Sequence, residues 1–273
     1  MTRIADYQTL ESLGSGSHGQ VFRAMPPERL GLGPEMVALK VFDRATDAAE
    51  YGRVVEEVKV YAAASRTCPV LAPMYDVGRH GERLFLAMRL YGNGSLAAHA
   101  PNLTKPQVLT VLADAARAAH ALHEAGLVHR EIKPANVFLA DQPGGALADL
   151  GLAHVVSPGQ TVSGLGVSSL ETMEPGLVRG EVSARASDIW SLGATLHWAL
   201  TGLSVFTDMP DSSLIAVLRH IMTATPTITD NGGIPDEVRD ILQRCLAPDR
   251  MQRYGTALAL AEDLDSAVDR ISA

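Results

Sequence analysis

His129-Arg130-Glu131-Ile132-Lys133-Pro134-Ala135-Asn136-Val137 decides how the rest of this chain is read. The stretch gathers an imidazole, a guanidinium, a carboxylate, an ammonium and an amide around one proline, which is loop chemistry rather than helix or strand. Upstream, Pro106 starts a helix. Its apolar residues Val108, Leu112, Ala115, Ala119 and Leu122 keep helical spacing until Gly126 stops it. Downstream, residues 137–140, the turn Asp141-Gln-Pro-Gly-Gly145 and residues 146–148 form a short hairpin that ends at Asp149. The hairpin brings Asn136 and Asp149 together as an oxygen-donor pair, although either one alone also serves as a turn-stabilising residue.

The part before this loop alternates like strands. Residues 7–13 and 20–24 are two strands joined by the glycine-rich turn Gly14-Ser-Gly16-Ser-His-Gly19. Residues 25–35 are a connection rich in Pro and Gly, and 36–42 are apolar and β-branched. Residues 48–64 have helical composition, while 71–78 and 83–88 are strand-like. One helix among about five strands makes a small α+β lobe. After Tyr91-Gly92-Asn93-Gly94 the character turns helical. Residues 188–200 are apolar nearly all round and read as a buried helix closed by Gly202. Residues 236–246 and 257–271 are further helices, and no internal repeat is visible.

Composition narrows the class. The 273 residues suffice for a large core divided into two lobes. Hydrophobic residues at 47% and charged residues at 20% are ordinary for a globular protein. A formal net charge of −8, without a Lys/Arg cluster, argues against a nucleic-acid partner. Cys68 and Cys245 lack metal-ligand spacing and are expected as reduced thiols. Met1-Thr-Arg-Ile-Ala-Asp6 carries charge where a signal peptide needs an apolar run, and no stretch is long enough to span a bilayer, so a cytoplasmic location is expected.

Gly14, Gly16 and Gly19 fit Gly-x-Gly-x-x-Gly, followed by Val21. The same spacing marks dinucleotide-binding turns and ordinary hairpins. A dinucleotide fingerprint needs a helix straight after the glycines, whereas Gln20-Val-Phe-Arg-Ala24 reads as a strand. Glycine lets the backbone approach phosphate oxygens and point N–H groups at them. Lys40 follows in Val37-Ala38-Leu39-Lys40. A lone strand lysine is ordinarily a solvated edge residue, but here its flanks are apolar and Ala38 is small. An acidic partner is expected from the helix at 48–64. Glu57 is the choice and Glu56 the rival, because helical phase does not separate them. Met88-Arg89-Leu90-Tyr91 joins the two lobes, and Met88 serves equally well as plain core.

Taken in order, the glycine turn, Lys40, the loop at 129–136, Asp149-Leu150-Gly151 and Asp188 resemble the eukaryotic-type Ser/Thr protein kinase family, in the compact form common in bacteria. The likeness runs from about Tyr7 to Ile271. It implies a single kinase domain of α+β, bilobal fold. A small β-rich N-lobe with one main helix would take residues 1–91, and a larger helical C-lobe residues 92–273. It also implies MgATP in the cleft and a protein Ser/Thr hydroxyl as acceptor. On the matching positions, Gly14, Gly16 and Gly19 would cover the phosphates. Val21, Ala38, Met88, Leu90 and Phe138 would line the nucleotide, and Lys40, held by Glu57, would grip the α- and β-phosphates. Asn136 and Asp149 would hold Mg²⁺, Lys133 would neutralise the γ-phosphate, and Glu131 would take the hydroxyl proton. Asp188 resembles the residue that anchors the catalytic-loop backbone, and His129 reads as packed structure. Arg130 is expected either to dock a phosphate, with Ser157, Thr161 and Ser163 as candidate acceptors, or to form a structural ion pair.

The sequence departs from the family pattern in four places. Glu131 stands for Asp; the extra methylene displaces the carboxylate by on the order of 1 Å, an error that can cost about 10²-fold in rate. Leu150 stands for Phe and keeps a hydrophobic plug. Gly176, in Met173-Glu174-Pro175-Gly176, stands where the family carries a Glu that pairs with a later Arg, here Arg253, so Gly176 is expected to remove that partner. The run Ser168-Ser169-Leu170-Glu171-Thr172 fits the peptide-binding pattern poorly, although Ser169 supplies a hydroxyl for the catalytic loop. The resulting expectation is an ATP-dependent Ser/Thr protein kinase slowed by Glu131. The alternative is a pseudokinase acting as nucleotide-binding scaffold or allosteric regulator, and a weaker third reading has a non-protein acceptor.

Overall fold

In a computed structural model, residues 2–16, 19–152, 167–210 and 213–272 are described. The chain divides into two units, one comprising Met1–Leu90 and the other Tyr91–Gly151 with Val167–Ala273.

The first unit is built on one six-stranded antiparallel sheet: β1 (Arg3–Ile4), β2 (Tyr7–Gly16), β3 (Gly19–Met25), β4 (Val37–Ala45), β5 (Met74–His80) and β6 (Arg83–Arg89), in spatial order β1-β2-β3-β4-β6-β5. Side chains alternate across a strand, so one face of β4 presents Val37, Leu39 and Val41 to a core shared with Tyr7, Ala24, Phe85 and Ala87. Ala38 and Lys40 therefore lie on the opposite face. Tyr7 is fully buried; its ring packs edge-on against Phe85 and its hydroxyl donates to Asp76 Oδ2 at 2.7 Å. Helix α1 (Ala48–Thr67) begins at a capping box. Glu50 N–H donates to Asp47 Oδ1 at 2.8 Å, and Asp47 N–H donates to Glu50 Oε2 at 3.0 Å. Its inner face carries Val54, Val58, Tyr61 and Ala64.

The second unit is mostly helical. Helix α2 (Leu96–His99) precedes α3 (Lys105–Glu124), which starts at a Thr104–Gln107 capping box with Pro106 in its first turn. The two-stranded ribbon β7 (Val137–Leu139) and β8 (Gly145–Leu147) lies against α3. The short helices α4 (Val167–Leu170) and α5 (Pro175–Val178) lead to α6 (Arg185–Thr201), which is buried along most of its length and ends at Gly202 with φ +74°. There α7 (Leu214–Thr223), α8 (Asp236–Cys245) and α9 (Ala257–Ser272) follow. A Cβ on Gly193 of α6 would stand 2.4 Å from Cys245 Cβ, so glycine sets how closely α6 and α8 approach. Among the described residues no helix is long and apolar enough to cross a membrane.

This is the α+β architecture expected from the sequence, with a β-rich first unit and a helical second one. Five elements lie outside the expectation: β1, α2, α4, α5 and α7. Strand β1 has only two residues, too short to show alternation, and α7 occupies a stretch left unassigned above.

Candidate active site

In the first unit, the β2–β3 ladder pairs Gly14 with Val21 and Gly16 with Gly19. Gly14 and Gly19 have φ of +144° and +155°, a backbone that side chains resist. A Cβ on Gly19 would also stand 2.0 Å from the Val41 carbonyl oxygen. Register places Val21 opposite Lys40, Lys40 opposite Leu86, and Ala38 opposite Met88. Four of the positions expected at the nucleotide therefore sit on neighbouring strands. Lys40 is only 6% exposed, with its ammonium 5.3 Å from the Phe42 ring centroid. Met88 is buried and Leu90, just past β6, is half-buried. Helix α1 gives the two adjacent carboxylates different exposure. Glu56 faces solvent and takes Lys59 at 2.7 Å, whereas Glu57 is half-buried beside Val54, Val58 and Tyr61.

In the second unit, α6 holds the loop at 129–136 by its backbone. The Asp188 carboxylate, 1% exposed, accepts from His129 N–H at 2.8 Å, Arg130 N–H at 2.9 Å and the His123 ring Nε2 at 2.8 Å. His129 is fully buried. Its Nδ1 accepts from Glu131 N–H at 3.3 Å, so Nε2–H donates to the Ala148 carbonyl at 3.1 Å. Burial holds this ring below its ordinary pKa despite the attraction of Asp188, Asp149 and Glu131, so it is a neutral strut. Gly151 N–H closes the loop onto His129 O at 2.9 Å, and a Cβ on Gly151 would stand 3.0 Å from that oxygen. Arg130 and Asp149 adopt φ of +70° and +62°, unusual for non-glycine residues; such strain clusters at functional sites.

The loop points its polar side chains at one another. Lys133 Nζ donates to Glu131 Oε1 at 2.7 Å and to Ser169 Oγ at 2.8 Å, while Ser169 O–H donates to Glu131 Oε1 at 3.2 Å. All three residues are at least nine-tenths buried. The longer Glu131 side chain therefore still reaches the lysine two positions on. Asn136 donates its Nδ2 to Glu131 O at 2.8 Å, so Oδ1 is the side-chain atom that could serve as a metal ligand, and Ala148 N–H bonds Asn136 O at 3.0 Å. The β7–β8 ribbon thus brings Asn136 beside the residue that precedes Asp149. An amide oxygen and a carboxylate suit Mg²⁺, which takes few protein ligands and completes its shell with phosphate oxygens and water. Phe138 is half-buried and stacks on Tyr91, with ring centroids 5.5 Å apart at 21°. Leu150 is buried.

One expectation fails here. Gly176 does not leave Arg253 without a carboxylate, because Glu174, two residues earlier, supplies it. Arg253 Nη1 lies 2.8 Å from Glu174 Oε1. Arg250 forks onto the same carboxylate, Nε to Oε1 at 2.8 Å and Nη2 to Oε2 at 2.6 Å. Ser187 O–H donates to Oε2 at 2.7 Å. Burial would raise the Glu174 pKa, but the bonds from Arg250, Ser187 and Arg253 outweigh it and hold the carboxyl below its ordinary range. Sequence reading missed Glu174 because it took each residue at its motif position. The usable signal was a carboxylate displaced by two residues and two arginines three apart. Ser157, Thr161 and Ser163, considered as phosphate acceptors for Arg130, lie outside the described residues.

Comparison with known proteins matches a protein kinase domain model over residues 7–264. The chain is 29% identical over 264 residues to the serine/threonine-protein kinase PknJ of Mycobacterium tuberculosis, covering 93% of this chain and 44% of that protein. It is 29% identical over 265 residues to the serine/threonine-protein kinase PknK of the same organism, covering 95% and 23%. It is 32% identical over 264 residues to the DNA damage-responsive serine/threonine-protein kinase RqkA of Deinococcus radiodurans, covering 93% and 38%. The chain thus spans less than half the length of each of these relatives. It belongs to the protein kinase domain family, in its eukaryotic-type serine/threonine branch.

Proposed function

We propose that this chain is a Ser/Thr protein kinase domain that transfers the γ-phosphoryl group of MgATP to a protein hydroxyl, with Glu131 in the role that Asp has elsewhere in the family. The observation that carries the reading is the Glu131–Lys133–Ser169 cluster, in which a buried carboxylate is oriented by two donors on one oxygen. Glu131 accepts the proton of the incoming hydroxyl. Lys133 neutralises charge on the phosphoryl group in transit, and Ser169 steadies both. Lys40, held by Glu57, grips the α- and β-phosphates beneath Gly14, Gly16 and Gly19. Val21, Ala38, Met88, Leu90 and Phe138 accept the adenine. Asn136 and Asp149 hold Mg²⁺, which when bound supplies charge neutralisation on the phosphates. Little covalent work falls to the protein, so positioning and electrostatics carry the catalysis.

Radiolabelled MgATP with a generic Ser/Thr-rich protein acceptor tests this. Label enters the acceptor with the parent chain and is lost with Lys40→Ala. A parallel melting series with MgATP should rise with nucleotide, since a ligand that binds only the folded state stabilises it. A rise without transfer would favour a nucleotide-binding scaffold. No rise at saturating nucleotide would sink both readings.

A further inference from the structure

The segment from Ser169 to Glu174 is tied down at three points. Ser169 touches Lys133 and Glu131. The Thr172 carbonyl accepts from Ser191 Oγ at 2.9 Å. Glu174 is bound by Ser187, Arg250 and Arg253. Ser187, Asp188 and Ser191 all belong to the first turns of α6. One rigid helix therefore positions the catalytic loop, through Asp188, and the Ser169 segment, through its serines. Glu174 locks the outer end of that segment. It is 2% exposed and lies between two guanidiniums, of which Arg253 is itself buried over the Trp190 ring at 5.0 Å and bonded to the carbonyls of Ala186 and Ala247. Removing the carboxylate would leave two cations facing each other at the end of the segment that carries Ser169.

We infer that Glu174 is a positioning residue for phosphoryl transfer, holding Ser169 against Glu131 and Lys133 through the Arg250–Arg253 pair. The inference rests on the kinase reading above. Gly176 is its companion: a Cβ there would stand 2.6 Å from Glu181 Oε2, and Glu181 reaches back to Arg250 at 3.5 Å. A cavity of about 180 Å³, lined by Glu174, Gly176, Trp190, Thr225 and Arg253 among others, borders the carboxylate. A small anion has room to reach the guanidiniums from that side.

The test uses Glu174→Ala, with Arg250→Gln as a milder variant that keeps the Arg253 contact. For Glu174→Ala, kcat should fall about 10²-fold, the loss expected of a catalytic group misplaced by roughly 1 Å, while KM for ATP stays within about twofold. Formate should restore at least a tenth of the lost rate, and chloride at equal ionic strength should not. Amide hydrogen exchange over residues 169–173 should quicken in both variants while α6 stays protected. If Glu174→Ala does not fold, Arg250→Gln carries the test through the same rate and exchange measurements. Unchanged exchange over 169–173 with an unchanged kcat overturns the inference. So does a loss of rate that formate leaves untouched and that raises KM for ATP in proportion. A parent chain that transfers no phosphate sinks the kinase reading instead, and exchange over 169–173 then still decides whether Glu174 holds the segment.

Discussion

Glu131 and Glu174 are both buried glutamates at positions where the kinase family pattern carries another residue, and they depart from it in different ways. Glu131 substitutes in place: the motif position is kept, the side chain is one methylene longer, and the partners are a lysine and a serine close by. Glu174 substitutes by displacement: the carboxylate has moved two residues along the chain and meets arginines from a turn more than seventy residues away. The first change alters reach by on the order of 1 Å, which would matter to Glu131 in the base role proposed for it. The second alters only which backbone atom carries the charge, because a two-guanidinium clamp reads the carboxylate's place in space. Under the proposed function, the same loss of a motif letter is expected to be costly at a reacting centre and harmless at a structural clamp.

That contrast can be broken by mutation. Glu131→Ala has the largest expected effect: transfer falls by about 10² to 10⁴, the usual worth of a positioned acid–base group. It also leaves Lys133 buried and unpaired, at about 3–5 kcal/mol of stability by denaturant unfolding. Glu174→Ala should cost stability on the same scale, lowering Tm by on the order of 10 °C in a scanning melt, since Arg253 is 4% exposed and cannot turn to water. Equal melting of parent and Glu174→Ala would mean that the clamp is idle. Glu131→Asp separates the two glutamates most sharply: turnover should rise, by up to about 10²-fold, if the methylene is the defect. Turnover at or below the parent rate would show that the loop has adapted to Glu.

Acid titration gives a smaller effect. Burial pushes the Glu174 carboxyl up, but Arg250, Ser187 and Arg253 pull it further down, so its folded pKa is depressed. Its contribution is then complete above the ordinary carboxylate value near 4.3 and is lost as pH falls through the lowered folded value. The stability difference between parent and Glu174→Gln should be flat above about pH 5 and shrink below pH 4; a difference that grows on acidification would contradict the assignment. Smallest of all is Gly176→Ala. The nearest atoms to its methyl are the end of the half-exposed Glu181 side chain, which can swing aside, so Tm should shift by under about 3 °C.

Much of this was legible in the sequence because the informative residues act locally. The strands flanking Gly14–Gly19, the strand around Lys40, the helix closed by Gly126 and the buried helix after Asp188 all announce themselves by short-range pattern and punctuation. Helix α7 was missed although Leu214, Val217, Leu218, Ile221 and Met222 have helical spacing; only Val217 and Ile221 of these are buried. The phase of Glu56 and Glu57 was not legible, because adjacent carboxylates differ only in which one faces the sheet. Nor was the Glu174 clamp, since its geometry depends on where α6 and the turn at Arg250 stand in space. Long-range pairing is what one sequence conceals.

The base role of Glu131 is tested most directly by Glu131→Gln, which keeps the size of the side chain and removes its ability to take a proton. Single-turnover transfer of labelled phosphate from saturating MgATP to a protein acceptor would be timed in parent and variant, after matched nucleotide-induced melting shifts confirm equal binding. The predicted result is a rate at least about 10²-fold lower in the variant; equal rates would contradict the assignment of Glu131 as the base.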